Sequence, residues 1–147
     1  MMQPNSELII DYGLVRNNIQ FIKDQISPSS KFMAIVKSNA YGHDLDTMVR
    51  ALNDSVDGFG VVRLEEAINL RAKSVLPILM MQGVYSIEAY DELKNHKIWT
   101  TIHSLAQIPL AQKYLDDLIF WIKINTGMNR LGLQLHELEA CASFIKE

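Results

Sequence analysis

A lysine closes the apolar run from Phe32 to Val36, within the stretch AIVKSNAYGHDL. If this run is a strand with alternating faces, Lys37 shares a face with Met33 and Ile35, and its amine leaves an apolar layer at the strand end. A lysine amine that is partly shielded from water is a credible nucleophile for Schiff-base chemistry. The plainer interpretation is a lysine that extends past the strand end and keeps its ammonium in solvent. Position alone favours the plainer interpretation.

A second candidate lies in FWIKINTGMNRLGL, residues 120–133. The first half of this stretch alternates between two faces, with Trp121, Lys123 and Asn125 on one and Phe120, Ile122 and Ile124 on the other. This alternation is typical of a strand with one mixed and one apolar face. The loop that follows is flanked by glycines and presents Arg130, whose planar guanidinium suits two-point recognition of a carboxylate or phosphate. By itself, Arg130 is equally compatible with a surface arginine in a turn.

Five short apolar runs indicate the strands that must position these residues, since parallel strands buried on both faces are nearly continuous in apolar residues. The runs begin near Lys31, Asp57, Leu76, Ile98 and Leu118. Their spacing of roughly 20 residues fits one strand plus one helix per unit.

Amphipathic segments between the runs predict helices. In one segment the apolar face is formed by Leu45, Met48, Val49 and Leu52, and in the next the stripe is formed by Leu64, Ala67, Ile68 and Arg71. Ahead of the first core strand, the sequence predicts a short strand from Leu8 to Asp11. A helix follows it and ends at Ser27 and Pro28, because proline disfavours continuation.

Repeated strand–helix units fit either a doubly wound open sheet or an α/β barrel of the TIM type, (β/α)8. Regular unit length and the absence of a G-x-G-x-x-G turn after the first strand favour the barrel. A complete barrel takes roughly 250 residues, so we expect a partial barrel with about five of eight strands. The final residues, HELEACASFIKE, continue a helix pattern without a glycine or proline stop. We therefore expect these residues to be the front part of a longer protein.

Composition excludes several classes of function. The 147 residues are 48% hydrophobic and 21% charged, which is typical of one globular domain. A net charge of −3 without basic clusters argues against a nucleic-acid partner, and no apolar stretch is long enough for a membrane span. The single cysteine, Cys141, allows no internal disulfide, which fits a cytoplasmic protein. Four dispersed histidines and the missing G-x-S-x-G motif argue against a metal site and a serine triad.

Two long motifs, in this order along the chain, favour the functional interpretations of Lys37 and Arg130 over the plainer ones. AIVKSNAYGH closely resembles the pyridoxal-phosphate (PLP) lysine signature of alanine racemases, and KINTGMNRLG resembles a second motif of that family at the expected distance downstream. Further likeness runs through DGFGVVRLEEAINLR, PILMMQG and IHS, so that the resemblance extends from Leu8 onward. It implies the N-terminal part of a PLP-binding barrel domain of fold type III, with residues 1–12 pairing with a C-terminal β domain.

The resemblance also implies roles for individual residues. Lys37 matches the catalytic lysine that binds PLP as a Schiff base and exchanges the substrate α-proton on one face. Tyr41 matches a tyrosine that donates a hydrogen bond to the cofactor phosphate. Arg130 matches an arginine that contacts the phenolic oxygen of the cofactor and binds the substrate carboxylate. Lys123 matches a lysine that is carbamylated in many members, where the added negative charge would orient Arg130. The second base, a tyrosine of the partner subunit, is expected beyond Glu147.

Some positions depart from the family pattern or have no chemistry assigned to them. Asn125 stands where aspartate is frequent, and Asp44 replaces a common glycine and is predicted to cap the next helix. We interpret His43 and His103 as structural, hydrogen-bonded histidines, and Met128 as packing support for the loop.

The function implied is the interconversion of L-alanine and D-alanine, an amino-acid racemase (isomerase) activity that supplies D-alanine for peptidoglycan in the cytoplasm. The expected partners are a small amino-acid substrate and a second subunit in a homodimer with shared active sites. Alternatives are a racemase of another small amino acid such as serine, or a non-catalytic PLP-binding barrel without need for Arg130. We expect the 147 residues alone to be inactive.

Overall fold

Five short parallel strands form one sheet in the computed structural model, which describes residues 7–141. The strands are β1 (Met33–Ile35), β2 (Gly58–Val61), β3 (Ile78–Met80), β4 (Trp99–Ile102) and β5 (Phe120–Ile122). The helices are α1 (Tyr12–Gln25), α2 (Lys37–Tyr41), α3 (Leu45–Leu52), α4 (Leu64–Arg71), α5 (Ile87–Asn95) and α6 (Ile108–Ala111). Short 3₁₀ turns cover Leu105–Gln107, Gln112–Tyr114 and Leu135–Glu137. The predicted strands and the helices between them are confirmed.

The strands are ordered in the sheet as they are in the chain, β1-β2-β3-β4-β5, and every adjacent pair is parallel. This sequential order is the order of a TIM-type barrel, as predicted, and differs from a doubly wound sheet. In the register, Ile35 lies opposite Gly60, which lies opposite Leu79. A Cβ on Gly60 would lie 2.6 Å from Cδ1 of Ile35, so the glycine leaves room for the isoleucine across the inner face.

The main core lies between the sheet and the helices. Fully buried side chains from the outer face of the strands include Phe59, Val61, Ile78 and Ile102. The apolar face predicted for α3 is confirmed, with Leu45, Met48, Val49 and Leu52 all buried. The stripe predicted for α4 is shifted, because Ala67 and Leu70 are buried while Arg71 is half-buried.

The inner face of the sheet is open to solvent. Ile35 is 38% exposed and Trp121 is 46% exposed, whereas Met33 is half-buried. Trp99 and Trp121 stack on this face with ring centroids 6.2 Å apart. They line an apolar cavity of about 440 Å³ at the amino ends of the strands.

Residues Leu8 to Asp11 are predicted to form a strand with a domain outside the described residues, and this stays a prediction. They form no strand with the described residues, and Asp11 instead caps α1 by accepting hydrogen bonds from the N–H groups of Gly13 and Leu14. A strand needs a partner for its backbone groups, and the predicted one belongs to a domain outside these residues. Helix α1 ends at Gln25, close to the predicted stop before Pro28.

The helix pattern near the carboxyl end lies partly outside the described residues. A 3₁₀ turn (Leu135–Glu137) leads into helical backbone at 138–141, and residues 142–147 are not described. Within the part of the chain that is described, no helix is long and apolar enough to cross a membrane.

Candidate active site

Lys37, Lys123 and Arg130 line a single cavity at the carboxyl ends of the strands. The cavity has a volume of about 360 Å³, and its other lining residues are Val62, Met81, Gln82 and Leu131. The carboxyl end of the sheet is where a TIM-type barrel builds its active site. Three of the four site residues predicted from the sequence therefore meet in one place, although Lys37 and Lys123 are 86 positions apart in the chain.

Lys37 lies two residues after the end of β1. The N–H of Val36 donates to the carbonyl oxygen of Gly60 at 2.9 Å, which keeps the chain against β2 up to the residue before the lysine. Lys37 is half-buried and lies on the alternation of Met33 and Ile35, as the sequence predicts. Its side chain thus extends from the apolar inner face of the sheet into the cavity.

The backbone after Lys37 turns with left-handed geometry. Ser38, Asn39, Ala40 and Tyr41 all have φ between 53° and 55°. Such a conformation costs an L-residue about 1–2 kcal/mol. None of these four residues is a glycine, and the first glycine after Lys37 is Gly42. The turn is closed by hydrogen bonds from the Ala40 N–H to the Val36 carbonyl and from the Gly42 N–H to the Ser38 carbonyl, and Ala40 is buried.

Glu66 connects this turn to the start of α4. Its Oε1 accepts a hydrogen bond of 2.7 Å from the Ser38 N–H, and its Oε2 accepts bonds of 3.1 Å from the N–H groups of Val62 and Arg63. Burial raises the pKa of Glu66, but the three N–H donors and the charge of Arg63 outweigh it, so that the pKa lies below its usual range. Glu66 is not among the site residues predicted from the sequence. A glutamate three positions after the residue that precedes a helix, here Arg63, is a common signal at a helix start. This signal could have identified the contacts that Glu66 makes at the start of α4.

Tyr41 does not line the cavity, but it lies beside Lys37. The Lys37 Nζ is 5.7 Å from the centroid of the Tyr41 ring, within the range of a cation–π contact. The residue is 57% exposed, so that Tyr41 lies at the surface beside the lysine.

Asn125 organises the loop that presents Arg130. Its Oδ1 accepts hydrogen bonds from the N–H groups of Gly127 and Asn129, and its Nδ2 donates to Asn129 Oδ1. The chain then returns to the sheet, where the Leu133 N–H donates to the Lys123 carbonyl at 2.8 Å. The Asn125 side-chain oxygen, which accepts these two N–H groups, performs a role that a carboxylate oxygen could also fill.

Gly132 allows the close return of this loop. Its φ is +125°, and a Cβ there would lie 2.6 Å from the backbone nitrogen of Asn125. A larger residue at position 132 would therefore push Arg130 and Leu133 away from β5.

The remaining sequence interpretations have mixed outcomes. His43 Nδ1 lies 2.9 Å from the Ala40 carbonyl, and His103 Nε2 lies 2.7 Å from the Gln82 carbonyl, so that both histidines have structural partners. Asp44 caps α3 through the Thr47 N–H, as predicted. The prediction for Met128 is wrong: its side chain is 79% exposed and does not support the loop, because the hydrogen bonds of Asn125 already hold it.

The electrostatics of the cavity indicate a negatively charged ligand. Among the described residues, its lining contains three cationic side chains and no carboxylate. Unpaired cations that share one cavity repel one another, and an anion placed between them removes this repulsion. Across residues 7–141, no group of three or more histidine, cysteine or acidic side chains is arranged to hold a metal ion.

Comparison with known proteins identifies the family. Residues 10–147 match the family described as "Alanine racemase, N-terminal domain". The chain belongs to the alanine racemase family. Among curated relatives, it is 39% identical to the alanine racemase of Actinobacillus succinogenes and 37% identical to the biosynthetic alanine racemase of Salmonella typhimurium, over 99% and 90% of this chain.

Solved structures of the alanine racemase family share this fold. The alanine racemase from Acinetobacter baumannii superposes with a TM-score of 0.84 and 32% identity over 93% of this chain. The enzyme from E. faecalis gives a TM-score of 0.84 at 27% identity. The chain spans 41% of the Actinobacillus relative and 42% of the Acinetobacter chain. Five strands of the racemase barrel are thus described here.

Proposed function

We propose that the protein is a PLP-dependent alanine racemase that interconverts L-alanine and D-alanine and supplies D-alanine for peptidoglycan. The observation that carries this proposal is the convergence of Lys37, Lys123 and Arg130 on one cavity at the carboxyl ends of the strands. Because the chain spans about two-fifths of its relatives, the activity is proposed for the full-length protein. The term full-length protein here means the product of the complete open reading frame that contains these residues.

The chemistry of the cavity fits PLP. The cofactor carries an aldehyde, which requires an amine, and a phosphate and a ring oxygen, which are negatively charged. Lys37 offers the amine from an apolar strand end, and Lys123 and Arg130 offer positive charge on the same lining. A volume of about 360 Å³ is in the range of sites for small ligands.

Lys37 would be both the cofactor-binding and the catalytic residue. PLP, when bound, supplies an electron-withdrawing ring that acidifies the α-proton of an amino acid. The amine of Lys37 would take or return that proton at the alanine Cα from the side of the sheet. A half-buried position limits the water that competes for the amine.

Arg130 would bind the substrate carboxylate and contact the ring oxygen of PLP, since its fork of N–H donors matches a carboxylate in two-point geometry. Lys123 is the candidate for carbamylation, because a negative group there would pair with Arg130 and remove the repulsion between the two cations. The hydroxyl of Tyr41, an exposed residue, would donate to the cofactor phosphate. An arginine for a substrate carboxylate favours an enzyme over a non-catalytic PLP-binding barrel.

The other face of the substrate requires a second base, which we assign to a tyrosine of the partner subunit in a homodimer with shared active sites. The open inner face of the sheet, where Trp121 is 46% exposed, leaves space for the remaining walls of such a site. We further propose that the protein acts in the cytoplasm, which agrees with a single unpaired cysteine, Cys141.

Borohydride reduction tests the proposal. The full-length protein would be incubated with PLP, reduced, digested and mapped by mass spectrometry, and alanine racemisation would be measured on the same preparation. We expect the label on Lys37 and its loss in Lys37→Ala, with Lys31→Ala as the control because Lys31 is exposed and lies near the opposite, amino end of the same strand. A label on another lysine with Lys37 unmodified would contradict the proposal.

A further inference from the structure

We propose that Glu66 is a positioning residue for Lys37, an inference that rests on the proposed function. Glu66 is not among the residues that line the cavity, and its Oε1 accepts a hydrogen bond from the backbone N–H of Ser38, the residue after Lys37. Its effect on the cofactor would therefore pass through the direction in which the turn presents the lysine amine.

The direction of the Lys37 side chain depends on the turn that follows it. Because Ser38 to Tyr41 are all left-handed, the chain reverses immediately after Lys37, and the end of β1 alone does not fix where the lysine side chain extends. Four consecutive non-glycine residues in this region persist only if the surroundings hold them. The contact between Ser38 and Glu66 joins the first of these residues to a part of the chain 28 positions away.

Glu66 is itself held in place by further hydrogen bonds. Its other oxygen accepts the N–H groups of Val62 and Arg63, at the positively polarised start of α4. The carboxylate thus has backbone donors on both sides. Helix α4 is fixed in turn by the fully buried Ala67 and Leu70, so that the anchor moves little relative to the sheet.

The hydrogen bonds on the two sides of Glu66 both reach the edge of the cavity. Lys37 and Val62 both line the cavity. The Glu66 carboxylate accepts hydrogen bonds from the N–H of Ser38, which follows Lys37, and from the N–H of Val62. Loss of this bridge would let the turn relax while β1 and β2 remain paired through the bond from the Val36 N–H to the Gly60 carbonyl. The lysine amine would then sample positions outside the cavity.

The experiment compares Glu66→Gln with Glu65→Gln in the full-length protein. Glu65 is the matched control, because it lies in the same first turn of α4, carries the same charge and is exposed. An amide can offer one oxygen but not two, so it cannot accept from Ser38 on one side and from Val62 and Arg63 on the other. The readouts are PLP affinity from absorbance titration and the fraction of borohydride label that maps to Lys37.

We expect Glu66→Gln to weaken PLP binding by roughly tenfold and to spread label onto other lysines, while Glu65→Gln behaves like the unmodified protein. Circular dichroism checks that both variants are folded. If Glu66→Gln does not fold, Glu66→Asp takes its place: it keeps the charge at the start of α4 but is one methylene too short for Ser38, and we expect the same loss of label at Lys37.

Unchanged affinity and labelling of Lys37 in the folded Glu66 variant would overturn the inference and leave the proposed function intact. Equal losses in the Glu65 and Glu66 variants would also overturn it, since they would indicate a general charge effect. Absence of label on Lys37 in the unmodified protein would instead contradict the proposed function itself.

Discussion

Asn125 and Asn129 are joined by two hydrogen bonds that run in opposite directions. The Asn129 N–H donates to Asn125 Oδ1 at 3.1 Å, and Asn125 Nδ2 donates to Asn129 Oδ1 at 2.6 Å. Arg130 follows directly, so that its backbone position depends on this pair. The loop carries no buried apolar anchor at Met128, which makes the side-chain amides its main internal support.

Replacing Asn125 with alanine should therefore displace Arg130. In the full-length protein we expect kcat/KM for alanine to fall roughly 10-fold to 100-fold, because misplacing the arginine proposed to bind the substrate carboxylate is costly even at small distances. Asn125→Asp should retain most activity, since its oxygen still accepts both N–H groups and the Asn129 amide can turn to donate. Steady-state kinetics of the two variants provide the test, and equal activities would contradict it.

Replacing Arg130 with lysine in the full-length protein should reduce turnover far more than stability, as follows from its proposed role at the substrate carboxylate. An ammonium cannot reproduce the planar two-point contact of a guanidinium, and we expect a loss of at least about 100-fold in kcat/KM. Arg130 is exposed, so the thermal unfolding midpoint should change little. Arg16→Lys on the exposed side of α1 is the control. Near-normal racemisation by Arg130→Lys would show that the residue is a bystander.

Arg71 is expected to matter for stability rather than for chemistry. Its guanidinium donates to the backbone carbonyls of Ser74 and Leu76 and, across a gap in sequence, to those of His96 and Lys97. Arg71→Leu leaves part-buried carbonyls without donors, which should cost about 2–4 kcal/mol in free energy of unfolding. Arg50→Leu, on an exposed face of α3, should cost less than about 0.5 kcal/mol. Denaturant unfolding of both variants measures the difference.

The pKa of Glu66 predicts how stability depends on pH. A carboxyl group whose pKa is lower in the folded state stabilises that state above its unfolded pKa, and this contribution disappears as the pH falls through the lowered value. We expect the unfolding midpoint to drop as the pH falls below the ordinary pKa range of a glutamate, and to drop less in Glu66→Gln. If the acid dependence were identical in Glu66→Gln and Glu65→Gln, this contribution would be refuted.

The 147 residues expressed alone should show no racemase activity and should associate. Ile35 and Trp121 leave an apolar inner face open, and β1 and β5 each have a strand neighbour on one side within the described sheet. Exposed strand edges and large apolar patches promote association. Light scattering and a racemase assay with added PLP test this. A monomer with measurable alanine racemisation would contradict it.

The strands and the cavity were predictable because they depend on patterns along the sequence. Continuous apolar runs predicted all five strands, and alternation placed Lys37 and Lys123 on the inner face. The convergence of these residues then followed from the rule that parallel strands share one carboxyl edge.

Other features depend on contacts that no local pattern records. Nothing in the order Ser-Asn-Ala-Tyr indicates a left-handed turn, because the compensating bond to Glu66 comes from the next strand–helix unit. Arg71 resembled part of an amphipathic stripe, while its carbonyl partners lie after α4 and after α5. The strand expected at Leu8 to Asp11 requires a partner outside these residues.

The match between strand order and chain order has a consequence for synthesis. Each strand pairs with the one made immediately before it, so that a unit leaving the ribosome finds its docking edge already complete. Growth of the sheet needs no segment that has yet to be translated. The Ser38–Glu66 bond would form when the second unit arrives, so the segment that carries Lys37 would acquire its shape early, long before Arg130 has been added.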